Sequence, residues 1–238
     1  ASHVLKGGGQ DLTRTTGQVK RGEVESERKS VNLKALKEEQ IRAEISRLRS
    51  VQQRLEGEIQ SNPGLAQFGS QILLELTRDG LRIQIVDAHN RPMFASGSAR
   101  VQPYMQELLR AIGAVLTEVP NRLTLEGHTD AMPFAGGERG YSNWELSADR
   151  ANASRRELLA GGLPDDRVLR VQGLAASQLL NRERPDDPAN RRISIVVMTR
   201  EAEDAMFRSQ PAADAGTVEP SIKPERPTVV SSPAAAGR

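Results

Sequence analysis

The sequence predicts an α/β (α+β) two-layer sandwich with a mixed β-sheet, preceded by a long helix. Three patterns predict this fold. Segments with the period-two alternation of strands lie at both ends of residues 72–199, segments with helical spacing separate them, and a proline-free stretch with a single glycine comes before them. The resulting order of elements in the domain is ββαβαββ. A chain of 238 residues that is 37% hydrophobic can bury one core with extensions.

Residues 1–62 precede the domain and fall into two parts. Residues 1–24 consist of Gly, Thr and charged residues without an apolar period, which is typical of a flexible linker. Residues 25–62 predict an amphipathic linker helix that ends before Pro63. Its apolar residues form a narrow seam in steps of four and three, with the polar Gln52 in one place of the pattern: Ile41, Ile45, Leu48, Leu55 and Ile59. There are two alternatives for this seam: either it packs on the chain's own domain or merely stiffens the linker, or it forms a coiled coil with a second copy.

Residues 63–200 contain the predicted domain. Its elements are strands at 72–77 and 81–87, a helix from 103 to about 119, a strand at 122–127, a helix from about 147 to 160, and strands at 166–173 and 191–199. Asp79 and Gly80 tolerate positive φ and predict a tight turn between the first two strands. Ser147 is a candidate N-cap, and Gly161 supplies the stop of that helix. The strand, helix and strand between 81 and 127 predict a parallel crossover unit.

The charge, the cysteine content and the lengths of the apolar runs exclude some classes of function without indicating a particular one. Lys and Arg number 33, Asp and Glu number 31, and the two signs are interleaved, which disfavours nucleic-acid binding. The absence of cysteine excludes disulfides and thiol catalysis. No apolar run reaches the ~20 residues of a membrane-spanning helix, and the start lacks a signal-peptide pattern, so we expect a fragment of a longer protein. Residues 201–238 predict a short helix and then a disordered tail rich in Pro and Ala.

One acidic and one basic residue form a candidate binding site. Asp130 follows the strand at 122–127, and Arg150 lies in the first turn of the helix predicted from Ser147. In sheets with parallel strands, ligands bind beyond the carboxyl ends of the strands, and both residues map to that edge. The helix N-terminus favours a carboxylate there, which an arginine can hold at two points. The pair suits a zwitterion such as an amino-acid head group, unless the two side chains form an ion pair with each other.

Three motifs around this site resemble a known family. "TLEGHTD" at 124–130, "NWELSADRA" at 143–151 and "NRRISIVV" at 190–197 resemble, in this order, the pattern of the OmpA-like peptidoglycan-binding domain. The resemblance implies that Asp130 and Arg150 clamp the free head group of meso-diaminopimelate in the peptidoglycan stem peptide. It also places four further residues near the ligand: Thr129, Asn143, Leu146 and Phe94. In relatives an acidic or amide residue often follows the aromatic one, whereas Ala95 follows it here.

Longer stretches resemble one branch of that family. "GLRIQIVDAHNRPMF" at 80–94 and "YSNWELSADRANASRREL" at 141–158 are similar to the periplasmic part of the MotB family of flagellar motor stators. The resemblance implies the periplasmic domain of a bacterial inner-membrane protein whose membrane helix is absent from this chain. It further implies a homodimer beside the channel subunit MotA, and contact with the flagellar basal-body ring. The expected function is non-catalytic peptidoglycan binding that anchors the proton-driven stator to the cell wall, with no cofactor.

Two other functions compete with this interpretation. A different wall anchor of the same fold, either the tail of an outer-membrane barrel or a lipoprotein, would show alternating strands or an acylated cysteine upstream. A cell-wall hydrolase would use two carboxyl groups, one of them desolvated. Four acids crowd one region, but the loop-like sequence around them predicts solvated side chains: Glu126, Asp130, Glu138 and Glu145. We therefore expect no catalysis.

His128 is a further candidate for metal binding, and Trp144 and Tyr141 are candidates for contact with a sugar. His128 and Asp130 form half of a metal site, but no third ligand lies near them in the sequence, so we expect no metal. We expect His128 to support the loop through hydrogen bonds instead. Trp144 and Tyr141 are able to stack on a sugar, but burial against the helix start is the commoner fate of a lone tryptophan.

Overall fold

The computed structural model describes residues 16–88, 90–134 and 140–208, with side chains from residue 33 onward. In this part of the chain five helices and five strands follow in the order α1 (Thr16–Ser61), α2 (Pro63–Ala66), β1 (Ile72–Leu76), β2 (Gly80–Val86), α3 (Pro103–Leu116), β3 (Leu123–His128), α4 (Asn143–Ala160), β4 (Val168–Gly173), β5 (Arg192–Met198) and α5 (Arg200–Arg208). The ββαβαββ order of the domain is confirmed. The predicted linker ended at residue 24, but helix α1 already begins at Thr16, so that boundary was wrong. The rest of the predicted linker and tail lies outside the described residues.

The strand order of the sheet is β1-β2-β5-β3-β4. β5 pairs antiparallel with both β2 and β3, and β3 pairs parallel with β4. β2 and β3, which α3 connects, therefore run in the same direction with β5 between them. Because of this arrangement the carboxyl ends of β2, β3 and β4 lie at the same edge as the amino end of β5. Val86 at the end of β2 and His128 at the end of β3 both lie opposite Arg192, the first residue of β5.

One face of the sheet carries the core. Alternate residues on β2, β3 and β5 are buried under the helices, in accord with the predicted alternation: Leu81, Ile83, Ile85, Leu123, Leu125, Ile193, Ile195 and Val197. Each such side chain contributes about 1.5–3 kcal/mol through removal from water. The hairpin that begins the sheet differs from the prediction by one residue. Backbone hydrogen bonds join Thr77 and Gly80, so Arg78 and Asp79 form its turn.

Helix α1 packs on the domain to which it is attached. The C-terminal part of its seam lies in the same core as the sheet, through Leu48, Val51, Leu55 and Ile59. Two hydrogen bonds add to this contact. Glu44 Oε1 accepts one from Asn121 Nδ2 at 2.9 Å and one from the Arg200 backbone N–H at 3.1 Å. Of the two alternatives for the seam, packing on the chain's own domain is therefore the one observed.

Helix α4 begins one turn earlier than the sequence predicted. Its N-cap is Ser142, not Ser147, and Ser142 forms a capping box with Glu145. Ser147 lies inside the helix, where its hydroxyl donates to the Trp144 carbonyl at 2.9 Å and accepts from the Ala175 backbone N–H at 3.0 Å. Arg150 is consequently about two turns into the helix instead of in its first turn.

Two glycines let α4 lie directly on the sheet. A Cβ atom on Gly127 would lie 2.0 Å from the Ser147 carbonyl oxygen, and one on Gly173 would lie 2.5 Å from the Ala148 backbone nitrogen. Gly127 is in β3 and Gly173 ends β4. The start of α4 is therefore fixed over the carboxyl ends of these two strands, which is the edge where the sequence places the binding site.

The contact between α1 and the domain can be tested with a matched pair of truncations. Leu55→Ala removes a side chain buried in the core and should lower the free energy of unfolding by about 2–5 kcal/mol. Leu36→Ala, on an exposed position of the same helix, should change it by less than about 0.5 kcal/mol. Denaturant unfolding followed by circular dichroism measures both. Equal effects of the two substitutions would show that the seam is not docked in solution.

Candidate functional site

The candidate site is built around one arginine between two carboxylates. Asp87 follows β2, Asp130 lies just beyond β3, and Arg191 precedes β5, so the strand order brings all three to one edge. Arg191 Nε donates to Asp87 Oδ2 at 2.8 Å, and its Nη1 donates to Asp130 Oδ2 at 2.7 Å. A planar guanidinium can bind two carboxylates in this way because its donors point in fixed, separate directions. The two strand ends are thereby joined through Arg191.

The carboxylates of this bridge are largely buried and fully engaged. Asp130 is 8% exposed, and its second oxygen accepts a hydrogen bond from the Met132 backbone N–H at 3.2 Å. Asp87 Oδ1 accepts one from the Met93 backbone N–H at 2.7 Å. Burial alone would lower the pKa of Arg191, but the hydrogen bonds to Asp87 and Asp130 raise it above its ordinary value. The guanidinium of Arg191 therefore keeps its charge in the bridge.

Arg150 lies beside the bridge without joining it. It is 7% exposed, its Nε donates to the Ser98 carbonyl at 3.0 Å, and its guanidinium carbon lies 5.0 Å from the centre of the Phe94 ring. Stacking on an aromatic face stabilises a cation and fixes its plane. Within the described residues no carboxylate lies within 4.0 Å of it. The alternative that Asp130 and Arg150 form an ion pair is therefore wrong, because Asp130 pairs with Arg191.

Electrostatics mark Arg150 as the poorly compensated charge of the site. Burial lowers its pKa, the field of Asp87 opposes this, Arg191 adds to the lowering, and Asp130 opposes it. Among the described atoms its only hydrogen bond uses Nε, which leaves the two terminal nitrogens able to donate to a ligand. A buried cation with free donors attracts an anion, and a carboxylate matches its forked geometry.

The other residues implied by the family resemblance form the walls of the site. The Thr129 hydroxyl donates to the Asp130 carbonyl at 2.9 Å, and its backbone N–H donates to the Ala175 carbonyl at 3.0 Å. Asn143 Nδ2 donates to the Met132 carbonyl at 2.8 Å and joins the start of α4 to the chain that leaves Asp130. Leu146 is buried under the same turn. Thr129 and Asn143 therefore hold the backbone in place, and Phe94 supports Arg150.

Asp87 and Arg191 were missed by the sequence analysis. The signal for Asp87 was available, since it ends the segment "LRIQIVD" as Asp130 ends "TLEGHTD", at the same edge of the sheet. Arg191 was part of the "NRR" motif but received no role. Its importance depends on β5 lying between β2 and β3, and local sequence does not specify that order.

Comparison with known proteins identifies the family. The OmpA family model matches residues 93–192, which include Asp130, Arg150 and Arg191 but not Asp87. Motility protein B of Escherichia coli (strain K12) is 48% identical over 229 residues, which cover 96% of this chain and 71% of that protein. The chain belongs to the motility protein B family. A crystal structure described as that of a MotB-like protein from Desulfovibrio vulgaris shares the fold, with 20% identity, a TM-score of 0.55, and coverage of 67% of this chain and 98% of that one.

Two residues of this motility protein B family member differ from expectation. His128 is 2% exposed, and neither ring nitrogen has a hydrogen-bond partner among the described atoms, so it does not support the loop as predicted. Its Nε2 lies 3.7 Å from Glu126 Oε2, too far for a hydrogen bond. Trp144 was expected to be buried against the helix start, but 54% of it is exposed.

The described residues contain neither a metal-binding cluster nor a membrane span. No cluster of three or more His, Asp or Glu side chains there could hold a metal ion. None of the described helices combines the length and the apolar character needed to cross a bilayer.

The arginine bridge should contribute to stability. Arg191→Ala leaves two buried carboxylates without their cation, and we expect a loss of about 2–5 kcal/mol in the free energy of unfolding. Arg82→Ala is the control, because Arg82 pairs at 3.8 Å with the exposed Glu75 and should matter by less than about 1 kcal/mol. Chemical denaturation at neutral pH measures the difference. The role of the bridge is disproved if Arg191→Ala is as stable as Arg82→Ala.

His128 should make the fold sensitive to mild acid. Burial lowers the pKa of His128 below 6.5, while Glu126 partly opposes the shift and Arg192 adds to it. Below pH 6.5 the His128 imidazole is therefore protonated more in the unfolded chain than in the folded one. As a result, His128 does not change the free energy of unfolding well above this pH and lowers it as the pH falls further.

We expect the free energy of unfolding to fall between about pH 7 and pH 5 by at most about 1.4 kcal/mol per pH unit from this group. His128→Gln should flatten that dependence. The pKa of Glu126 is lowered from 4.5, chiefly by its interaction with His128, so its own loss of stability falls at lower pH. Identical pH profiles of the wild type and the variant would contradict this role of His128.

Proposed function

We propose that this chain is the wall-binding part of a flagellar motor stator, and that it anchors the stator to peptidoglycan without catalysing a reaction. In this proposal the site binds the free head group of a meso-diaminopimelate residue in a stem peptide. Arg150 binds its carboxylate, and Asp130 binds its ammonium. Membership of the motility protein B family and the OmpA family match over the site support the anchoring role.

The observation that carries the proposal is the unpaired, buried guanidinium of Arg150 next to two carboxylates. In a diaminopimelate head group, a positively charged ammonium and a negatively charged carboxylate are bonded to the same carbon. Its carboxylate would occupy the terminal nitrogens of Arg150, which have no partner among the described residues. Its ammonium would share Asp130 with Arg191. Hydrogen bonds between charged groups contribute about 1.5–3 kcal/mol each, so a ligand with both charges is favoured over one with either alone.

The acids near the site argue against hydrolysis. A general acid needs a raised pKa, whereas the pKa of Glu126 is lowered by His128 and that of Glu145 is lowered by its hydrogen bond to Ser142. Asp130 accepts a hydrogen bond from Arg191 and is already engaged in the bridge. Glu138, the fourth acid of the predicted group, lies outside the described residues.

For anchoring, the site has to stay bound to peptidoglycan while a force acts on the chain. A single head group offers few contacts, but a cross-linked polymer presents many, and two linked domains bind it far more durably than one. We propose that the chain acts in a homodimer in the periplasm, attached through its membrane segment to the channel subunit MotA and close to the flagellar basal-body ring. A lipoprotein or outer-membrane anchor is less well supported, given 48% identity to motility protein B over 229 residues.

Binding to purified peptidoglycan sacculi tests this proposal. Arg150→Ala and Asp130→Asn should each reduce the sedimented fraction and weaken binding by more than about tenfold, since each removes one charged contact to the ligand. Arg156→Ala, an exposed arginine on the same helix, should bind as the wild type does. Free meso-diaminopimelate should compete with sacculi for the wild type.

Circular dichroism must show that each variant is folded, because Asp130 also belongs to the arginine bridge. Folded Arg150→Ala and Asp130→Asn proteins that both sediment like the wild type would refute the assignment of the site.

A further inference from the structure

Trp144 is an aromatic residue that neither the fold nor the proposed head-group site uses. It is the only tryptophan of the chain, and 54% of it is exposed. A tryptophan offers 150–250 Å² of surface for burial, and leaving about half of that in water forgoes a large stabilisation. A residue in this position is more easily explained by a ligand than by packing.

The backbone that carries Trp144 is rigid. Its N–H donates to the Ser142 hydroxyl at 3.2 Å, and its carbonyl accepts from the buried Ser147 hydroxyl at 2.9 Å. The end of β4 packs against it so closely that a Cβ on Gly173 would lie 2.7 Å from the Trp144 carbonyl oxygen. The ring therefore projects from a fixed point, which lowers the entropy lost when a ligand binds to it.

Trp144 flanks the head-group site instead of lining it. It precedes Arg150 by six positions on α4, which corresponds to about 9 Å along the helix axis and about 120° around it. The neighbouring residue, Asn143, holds the Met132 carbonyl on the chain that leaves Asp130. Trp144 thus lies on a different face of α4 from Arg150, next to the residue that contacts the segment after Asp130, and only an extended ligand could reach both places.

The composition of the surface around Trp144 favours a sugar over a protein partner. Glu145 and Asp149 are exposed next to it, and Tyr141 is engaged through its hydroxyl with Asp149 Oδ2 at 2.9 Å. Met132, on the segment that Asn143 contacts, is also exposed, but the two side chains together are far smaller than the roughly 800 Å² per partner of a stable protein interface. A pyranose ring matches the Trp144 side chain, because the sugar has an apolar face of C–H groups and a rim of hydroxyls that polar neighbours can bind.

We propose that Trp144 is a stacking platform for a sugar ring of the peptidoglycan glycan strand. The inference rests on the proposed function, since it requires diaminopimelate to lie at Asp130 and Arg150. Diaminopimelate is the third residue of the stem peptide, so two residues separate it from the sugar. At about 3.3–3.6 Å per extended residue they span about 7 Å, and the diaminopimelate side chain, which ends in the bound head group, lengthens this link so that it can cover the spacing along α4. The site then recognises the stem and its glycan together.

Two soluble ligands separate the two contacts. One is the free tripeptide L-Ala–γ-D-Glu–meso-diaminopimelate, and the other is the same tripeptide on its N-acetylglucosamine–N-acetylmuramic acid disaccharide. Calorimetry should show that the wild type binds the disaccharide form about three- to tenfold more tightly, the gain expected from one aromatic stacking contact. Because Trp144 is the only tryptophan, its fluorescence should change on binding the disaccharide form much more than on binding the tripeptide.

Trp144→Ala should abolish the preference for the disaccharide form and leave the affinity for the tripeptide unchanged, whereas Trp144→Phe should retain part of the preference. Phe207→Ala, which removes another exposed aromatic ring, should behave as the wild type. Arg150→Ala should instead lose affinity for both ligands.

The outcomes distinguish this inference from the function on which it rests. Tight tripeptide binding with no gain from the disaccharide, or a gain that survives Trp144→Ala, would overturn the platform alone. No measurable binding of the tripeptide to the wild type would overturn the head-group site and the platform with it. Self-association that disappears in Trp144→Ala would assign the ring to a contact between copies of the chain and would also overturn the platform.

Discussion

The site depends on the bridge that Arg191 forms between Asp87 and Asp130. Two carboxylates buried at one edge would repel each other and resist desolvation, and a single guanidinium between them offsets these costs through its attraction to both. The bridge also determines which charge is left over. Since Arg191 satisfies the acids, the terminal donors of Arg150 have no hydrogen-bond partner among the described residues. A pocket with no net excess of either charge, but with one cation still free to donate, is suited to a ligand that carries both signs.

The bridge exists because of the strand order. β5 is last of the strands in the chain but lies between β2 and β3, and it runs against both of them. Its amino end therefore meets two carboxyl ends. The second determinant is α4, whose close approach to the sheet needs the missing side chains of Gly127 and Gly173. With α4 fixed there by the Ser142 and Glu145 capping box, Arg150 faces Phe94, and Trp144 stands at the outer end of the same helix.

The sequence predicted the elements of this fold more completely than their contacts. Alternation in β2 and β5 and helical spacing in α3 are local signals, and each identified its element. The start of α4 was misplaced because Ser147 and Ser142 both precede apolar residues, and only the Ser142 and Glu145 pair has the spacing of a capping box. Arg191 was overlooked, and the exposure of Trp144 was not foreseen, because both depend on neighbours distant in sequence. The apolar seam of α1 indicated that one side of this helix is covered. Its periodicity does not show whether the chain's own domain or a second copy covers it.

Helix α1 also has a mechanical consequence. It is continuous over 46 residues, about 69 Å, and of the part whose side chains are described, residues 33–61, the C-terminal portion is inserted into the core, with Glu44 at the margin of the contact. Tension applied along its axis would act on Leu48, Leu55 and Ile59 in shear, so that these contacts resist together instead of peeling apart one after another. Helix α1 is thus a rigid element that is packed at its C-terminal end on the domain that carries Arg150. A pulling force can reach the domain through this helix without first unfolding the domain.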